Sequence, residues 1–188
     1  MATWTAGTAL GTGALISQAW VQNVVNAQKF LAANDATYGK DLCQMRRTTS
    51  QTGMASATWT AIGFTVNDFD VANGHNTSTN TTRYTAVAPG KYRLTAAITL
   101  SFTSGSVSIN GLFRLNGSGL NNTGAIDGSW ASMKTGTTTQ ATLVLPTTYV
   151  SLAAGHWVDV VIFTDASAPV PDPTAGAVQM AVEWVGAP

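Results

Sequence analysis

The stretch TRYTAVAPGKYRLTAAITL, residues 82–100, constrains the fold of this chain more than any other segment. Two extended runs flank a Pro89-Gly90 turn, and the second run alternates strictly. Tyr92, Leu94, Ala96, Ile98, Leu100 and Phe102 fall on one face, and Arg93, Thr95, Ala97, Thr99 and Ser101 fall on the other. A period of two over that length belongs to a half-buried strand, because a helix would repeat its apolar positions every three or four residues. Proline followed by glycine is turn chemistry: proline pre-sets φ, and glycine tolerates conformations closed to other residues. The chain is therefore expected to build a β-structure in which one face of each strand is apolar.

The rest of the sequence repeats the pattern from residue 57 onward. Strands are predicted over 58–66, 81–87, 91–103, 106–115, 123–133, 138–150, 156–164 and 176–186. They are separated by Ser104-Gly105, Asn116-Gly117, Lys134-Thr135-Gly136, Ala154-Gly155 and a proline-rich stretch at 165–175. Many short strands at regular spacing point to a sandwich or jelly roll. In 156–164, Val158, Val160 and Ile162 alternate with Trp157, Val161 and Phe163. A two-layer sandwich buries one face of each strand, so a second apolar face here and in 176–186 predicts contacts between subunits.

Upstream the pattern differs. Residues 1–16 are rich in Gly, Thr and Ala and read as an extended arm. Ser17 is placed to cap a helix from Gln18 to about Ala33, with Trp20, Val24, Ala27 and Leu31 on one stripe beside Val21 and Val25. A helix of that length is marginal alone, so the stripe must bury against something. The division expected is an arm and anchoring helix at 1–40, a polar linker at 41–56 and a β-domain at 57–188. Arg46-Arg47, the only basic pair, reads as part of the solvated linker or as a contact for an acidic partner surface.

Composition removes several function classes. Charged residues make up 10% of the 188, well under the usual quarter, and the formal net charge is zero. Nothing attracts nucleic acid by bulk electrostatics. Sparse charge with abundant threonine suits a surface that hides against copies of itself. The single cysteine, Cys43, rules out an internal disulfide framework and reads as a small inert residue. No basic segment leads into an apolar run as in a secretory signal, and no stretch approaches the ~20 apolar residues of a membrane span.

No catalytic constellation emerges, and the chain is expected not to be an enzyme. His75 and His156 are the only histidines and lack the partner spacing of a zinc site. Asp68 and Asp70 share a face of an extended strand but flank Phe69, and read as a solvated strand end. Neither Gly-x-Ser-x-Gly nor a supported Ser-x-x-Lys occurs. NGSGL (116–120) opens no helix and supplies no following lysine, so it is a loop and no phosphate cradle. Trp130 and Trp157 are candidates for stacking on sugars, with burial in a core or subunit interface as the alternative.

In order along the chain, WTAIGFTVNDFD (59–70), NGHNTSTNTTRYTA (73–86), PGKYRL (89–94), FRLNG (113–117), LAAGHWVDV (152–160) and AVEWVG (181–186) resemble the C1q/tumour-necrosis-factor-like jelly roll in its bacterial and bacteriophage version. The likeness covers about 130 residues. His156 departs from it, standing where that family usually has an acid, and this weakens any transfer of acid-dependent metal binding. The opening TWTAG and the helix ending at Phe30-Leu31 are similar to the start of small structural proteins of tailed phages.

The resemblance implies a homotrimer with jelly rolls packed about a three-fold axis. On this basis Tyr92, Leu94, Ile98, Val182 and Trp184 are expected at the trimer interface. His75, Asn76, Asn80, Asn121 and Asn122 are expected on outward loops, within the segments 73–80, 116–124 and 165–175. The implied role is a virion surface protein that decorates the capsid or forms a short spike, joined to other virion proteins through residues 1–40. A tail-associated adhesin for host-surface glycan is the alternative, and a cellular carbohydrate-binding module is a third reading. No cofactor is expected. Calcium, which some relatives of this fold bind near the axis, stays open without assigned ligands.

Overall fold

The computed structural model describes residues 42–103, 106–136, 138–167 and 169–188. The arm and helix expected over 1–40 lie outside the described residues. The described residues form twelve strands: β1 Leu42–Arg46, β2 Thr60–Ala61, β3 Val66–Asp70, β4 Arg83–Thr85, β5 Gly90–Ser101, β6 Ser108–Leu115, β7 Ala131–Lys134, β8 Gln140–Val144, β9 Thr148–Leu152, β10 Trp157–Thr164, β11 Val170–Pro171 and β12 Val178–Gly186. All pairings are antiparallel.

They form two sheets. The seven-stranded sheet centres on β5, which pairs with β12 and the short β11 on one edge and with β9 and then β8 on the other. β12 carries β1, and β1 carries β3. The five-stranded sheet centres on β10, flanked by β6 and β7 on one side and by β2 and β4 on the other.

The apolar face of β5 lies between the sheets. Tyr92, Leu94, Ile98 and Leu100 join Met45, Met180 and Val182 of their own sheet and Ile109, Phe113, Val160 and Ile162 of the other in one core. Gly111 faces that core on β6. A Cβ there would come within 2.6 Å of Leu143 Cδ2 and 2.8 Å of Ile162 Cδ1, so glycine is what lets the sheets approach at this point. The single strand expected over 138–150 becomes two: hydrogen bonding to β5 runs on to Leu145, whose N–H donates to the Ala96 carbonyl at 3.0 Å, and pairing resumes at Thr148, with Pro146 in the break.

Two sequence expectations need correction. Residues 41–56 are not simply a linker. Leu42–Arg46 is a strand inserted between β12 and β3, with Cys43 and Met45 fully buried. Arg46 pairs with Asp68 at 2.6 Å, and Arg47 donates to the Gly63 carbonyl at 2.8 Å, so both arginines are engaged inside the fold. The second apolar face of β10 is also covered by its own chain. Val161 is fully buried on the outer side of the sheet, opposite the equally buried Leu112, and Trp59 packs on Phe163.

Cys43 sits among core residues, where burial, with Asp70 adding a smaller push, raises its thiol to about 12. The thiolate is the reactive species. Native protein at pH 8 is therefore expected to resist iodoacetamide while denatured protein takes up one equivalent. Rapid modification of native protein would contradict this placement.

Candidate assembly face

The outer face of the seven-stranded sheet is built by the residues between the core positions. Along β5 these are Arg93, Thr95, Ala97, Thr99 and Ser101, and along β12 they are Gln179, Ala181, Glu183 and Val185. Cross-strand register sets Thr95 opposite Ala181 and Ala97 opposite both Gln179 and Val144. It also sets Ala181 opposite Gln44 and Gln44 opposite Phe69. Small side chains thus floor the middle of the sheet. They leave an open groove of about 360 Å³ lined by Gln44, Thr95, Ala97, Val144, Gln179 and Ala181.

Large apolar side chains stand around that floor. Val144 is 66% exposed, Tyr149 64%, Val185 42% and Phe69 40%. Single exposed apolar residues are ordinary, but four on one face of one sheet are a patch. Most of the charges nearby are matched within the chain, Lys91 at the end of β5 being exposed without an ion pair among the described residues. Arg93 pairs with Glu183 across the β5–β12 ladder, and Arg46 with Asp68. Thr99 and Thr142 close a hydrogen bond with each other at 2.8 Å. Such a face presents apolar area with little net field, which suits contact with an identical face.

The residues expected at a trimer interface lie on the opposite side of the same strands. Tyr92, Leu94, Ile98 and Val182 are 0% exposed in the single chain, so association can remove no further area from them. Trp184 is half-buried at the end of the core, over Gly90, with its indole N–H donating to the Pro89 carbonyl. Of the two sides of β5, the Thr/Ala side, not the Tyr/Leu side, faces away from the core. Tyr92 holds the subunit itself together: its ring fills the core and its hydroxyl donates to the Ala88 carbonyl at 2.6 Å. Tyr92→Ala is expected to lower subunit stability by about 3–5 kcal/mol, whereas Arg93→Ala lowers it by about 1 kcal/mol or less. Urea melts of the two variants at one protein concentration check this, and equal effects would contradict it.

The three expected binding loops do not converge. Leu42 lies at the end of the sandwich where Val71 N donates to the Leu42 carbonyl and Ala86 N to the His156 carbonyl. Loops 73–80 and 116–124 lie at this end, tied by Thr85 N to the Gly74 carbonyl and by Asn116 N to the Trp157 carbonyl. The 165–175 segment lies at the other end, where Ser101 Oγ donates to Asp172 at 2.9 Å. Asp172, which also accepts from Thr174, is held below the usual carboxylate range by those side-chain hydrogen bonds.

His75 is only 5% exposed, so it cannot serve as an outward contact. Its Nδ1 lies 2.6 Å from Asn67 Oδ1 and its Nε2 3.0 Å from the Thr81 carbonyl. Asp70 accepts from the backbone N–H groups of Gly74 and His75, at 3.0 and 2.8 Å, while Asp68 is engaged with Arg46. The two carboxylates therefore do separate structural work. Asn76 is exposed, but its side-chain oxygen accepts from Ser78 N and Thr79 N and shapes the turn. Asn80 is exposed and sits at φ 55°. Asn121 and Asn122 are exposed as expected.

What sequence reasoning missed is the support beneath the 116–124 loop. Arg114 and Asp159 form a buried pair, with Nε donating to Oδ1 at 3.0 Å and Nη2 to Oδ2 at 2.6 Å. Nη1 reaches on to the carbonyls of Gly119 at 3.1 Å and Asn121 at 2.8 Å. Trp157, one of the sugar-stacking candidates, is half-buried with the Arg83 guanidinium 5.0 Å from its ring centroid. Trp130 remains half exposed. Among the described residues no three His, Cys, Asp or Glu side chains gather as a metal site, and no helix is long and apolar enough to cross a membrane.

No family model and no curated protein matches the chain. Among solved structures, murine APRIL at pH 5.0 aligns with a TM-score of 0.53 at 11% identity, over 76% of this chain and 98% of that one. The globular domain of zebrafish complement 1qA protein aligns with a TM-score of 0.44 at 12% identity, over 76% of this chain and 92% of that one. The likeness to APRIL, together with the two antiparallel sheets, establishes the fold as a C1q/TNF-like jelly roll.

Proposed function

We propose that this chain is a non-enzymatic, self-assembling jelly roll that forms a homotrimer through the outer face of its seven-stranded sheet and serves on the surface of a phage virion. The observation that carries the assembly is the grouping of Phe69, Val144, Tyr149 and Val185 around a floor of Thr95, Ala97 and Ala181. Three copies of one face packed about an axis would cover this patch with the Arg93–Glu183 and Arg46–Asp68 pairs already closed, leaving Lys91 at the end of β5 to the solvated rim. The virion role draws on the ordered motifs between residues 59 and 186 and on the resemblance of the N-terminus to small structural proteins of tailed phages.

Residues 1–40 then act as the anchor, since the predicted helix has an apolar stripe it cannot satisfy alone. Decoration of the capsid or a short spike is the leading placement. Deleting 1–40 removes none of the described strands, the first of which is Leu42–Arg46. The truncated protein is expected to fold and trimerise but to be missing from purified particles by peptide mapping. Normal incorporation would contradict the anchor, and absence of the full chain from particles would contradict the virion role. A tail-associated adhesin for host glycan is the second reading, favoured by Trp130, which is 50% exposed on the opposite sheet.

A further inference from the structure

The adhesin reading gains a specific site on the outer face of the five-stranded sheet, away from the assembly face. Trp59, Trp130 and Phe163 form one contiguous aromatic group there. The Trp59 and Trp130 ring centroids are 5.4 Å apart at 77°, and those of Trp59 and Phe163 are 5.5 Å apart at 48°. Trp59 and Phe163 are half-buried, which fixes the platform, while Trp130 is half exposed. Register extends the row with uncharged polar groups: Phe163 lies opposite Asn110, and Asn110 opposite Ser132.

We propose that Trp59, Trp130, Phe163, Asn110 and Ser132 form a binding site for a neutral saccharide. The inference rests on the adhesin reading and names its ligand class. A pyranose ring offers an apolar C–H face to an aromatic ring and hydroxyls to the amide and hydroxyl beside it, the usual division of labour in a small-ligand site. Charge selects the class further. Arg114 is closed on Asp159 and Arg83 lies over Trp157; Lys134, which shares the exposed face with Ser132, stands opposite Ser108, whose N–H donates to the Asp165 carboxylate at 2.7 Å, so a cation and an anion flank the row together and leave no net charge to choose an anionic sugar.

The face needs no further cover for the sheet's sake, because Leu112 and Val161 in the next row are already fully buried.

The test is isothermal titration calorimetry of the full-length chain with chitotriose, maltotriose, mannotriose, lactose and sialyllactose. At least one neutral sugar is expected to bind saturably, with a dissociation constant on the order of 1 mM or tighter. Sialyllactose is expected to bind no tighter than lactose. Trp130→Ala should weaken binding at least about tenfold, or about 1.4 kcal/mol, with melting temperature and oligomeric mass unmoved. Should Trp130→Ala fail to fold, Asn110→Ala and Ser132→Ala carry the same test with smaller losses.

Binding by none of the neutral sugars overturns the site, as does binding unchanged in the variants. A Trp130→Ala protein with altered oligomeric mass overturns it too, by placing the rings in a subunit contact. A trimer found on particles that binds no sugar leaves the assembly reading standing. A chain that binds sugar through Trp130 but is absent from particles removes the virion role and keeps the site.

Discussion

Arg114→Ala is expected to lower the unfolding free energy by about 3–5 kcal/mol, among the largest losses available to a single substitution in this chain. The side chains of Arg114 and Asp159 are 3% and 2% exposed. Burial pushes the Asp159 carboxyl up, and the hydrogen bonds and charge of Arg114 oppose that push. Removing the guanidinium leaves a buried carboxyl without its partner and frees the carbonyls of Gly119 and Asn121 that it holds. The loop 116–124 should loosen along with the global loss. Asp159→Ala should be comparably severe. Arg114→Leu combined with Asp159→Leu should recover much of the stability, because replacing both charges removes the desolvation penalty as well as the attraction. Denaturant melts at one fixed protein concentration decide this. A loss under about 1 kcal/mol for Arg114→Ala would mean that water reaches the pair and screens it.

The second large effect is on assembly, not folding. Ala97→Arg should abolish the trimer while leaving a folded subunit with nearly unchanged circular dichroism. Ala97 lies on the groove floor facing away from the core, so a longer side chain has room in the isolated subunit. In a packed contact the same arginine brings bulk and an unpaired charge, and one substitution appears in every copy. Burying a charge without a partner costs several kcal/mol, which exceeds what one side of a modest interface returns. Size-exclusion chromatography of the variant should show monomer. A variant that stays trimeric would move the interface off this face.

The strand framework was legible because alternation survives in sequence wherever a sheet buries one side. β5, β6, β10 and β12 were found close to their observed limits for that reason. β1 was missed because Leu42-Cys43-Gln44-Met45-Arg46 offers five residues without a β-branched or aromatic side chain, and its strand character comes from the neighbours it pairs with. The run expected over 123–133 is a continuous strand only from Ala131, since the residues before it form a loop that touches β6 by a single backbone bridge, Ala125 to Arg114, and is closed by Ser129 Oγ donating to the Ile126 carbonyl.

The proposed assembly face has no direct sequence signal, for a physical reason. Period two separates the two sides of a strand but does not say which side meets the partner sheet. The larger residues, Tyr92, Leu94 and Ile98, carry the apolar signal that suggests a subunit contact, and they are the core of the subunit. His75 looked exposed among Asn and Thr residues, and only the return of β4 beside the loop buries it. Arg114 and Asp159 are 45 residues apart, and the Trp59, Trp130 and Phe163 rings come from separate segments, so neither group has a sequence signature.

Sedimentation equilibrium of the full-length chain at micromolar concentration tests the central claim most directly. The account predicts a single species at three times the 19.5 kDa chain mass, falling to one chain mass with Ala97→Arg. A native chain that sediments as a monomer would contradict it.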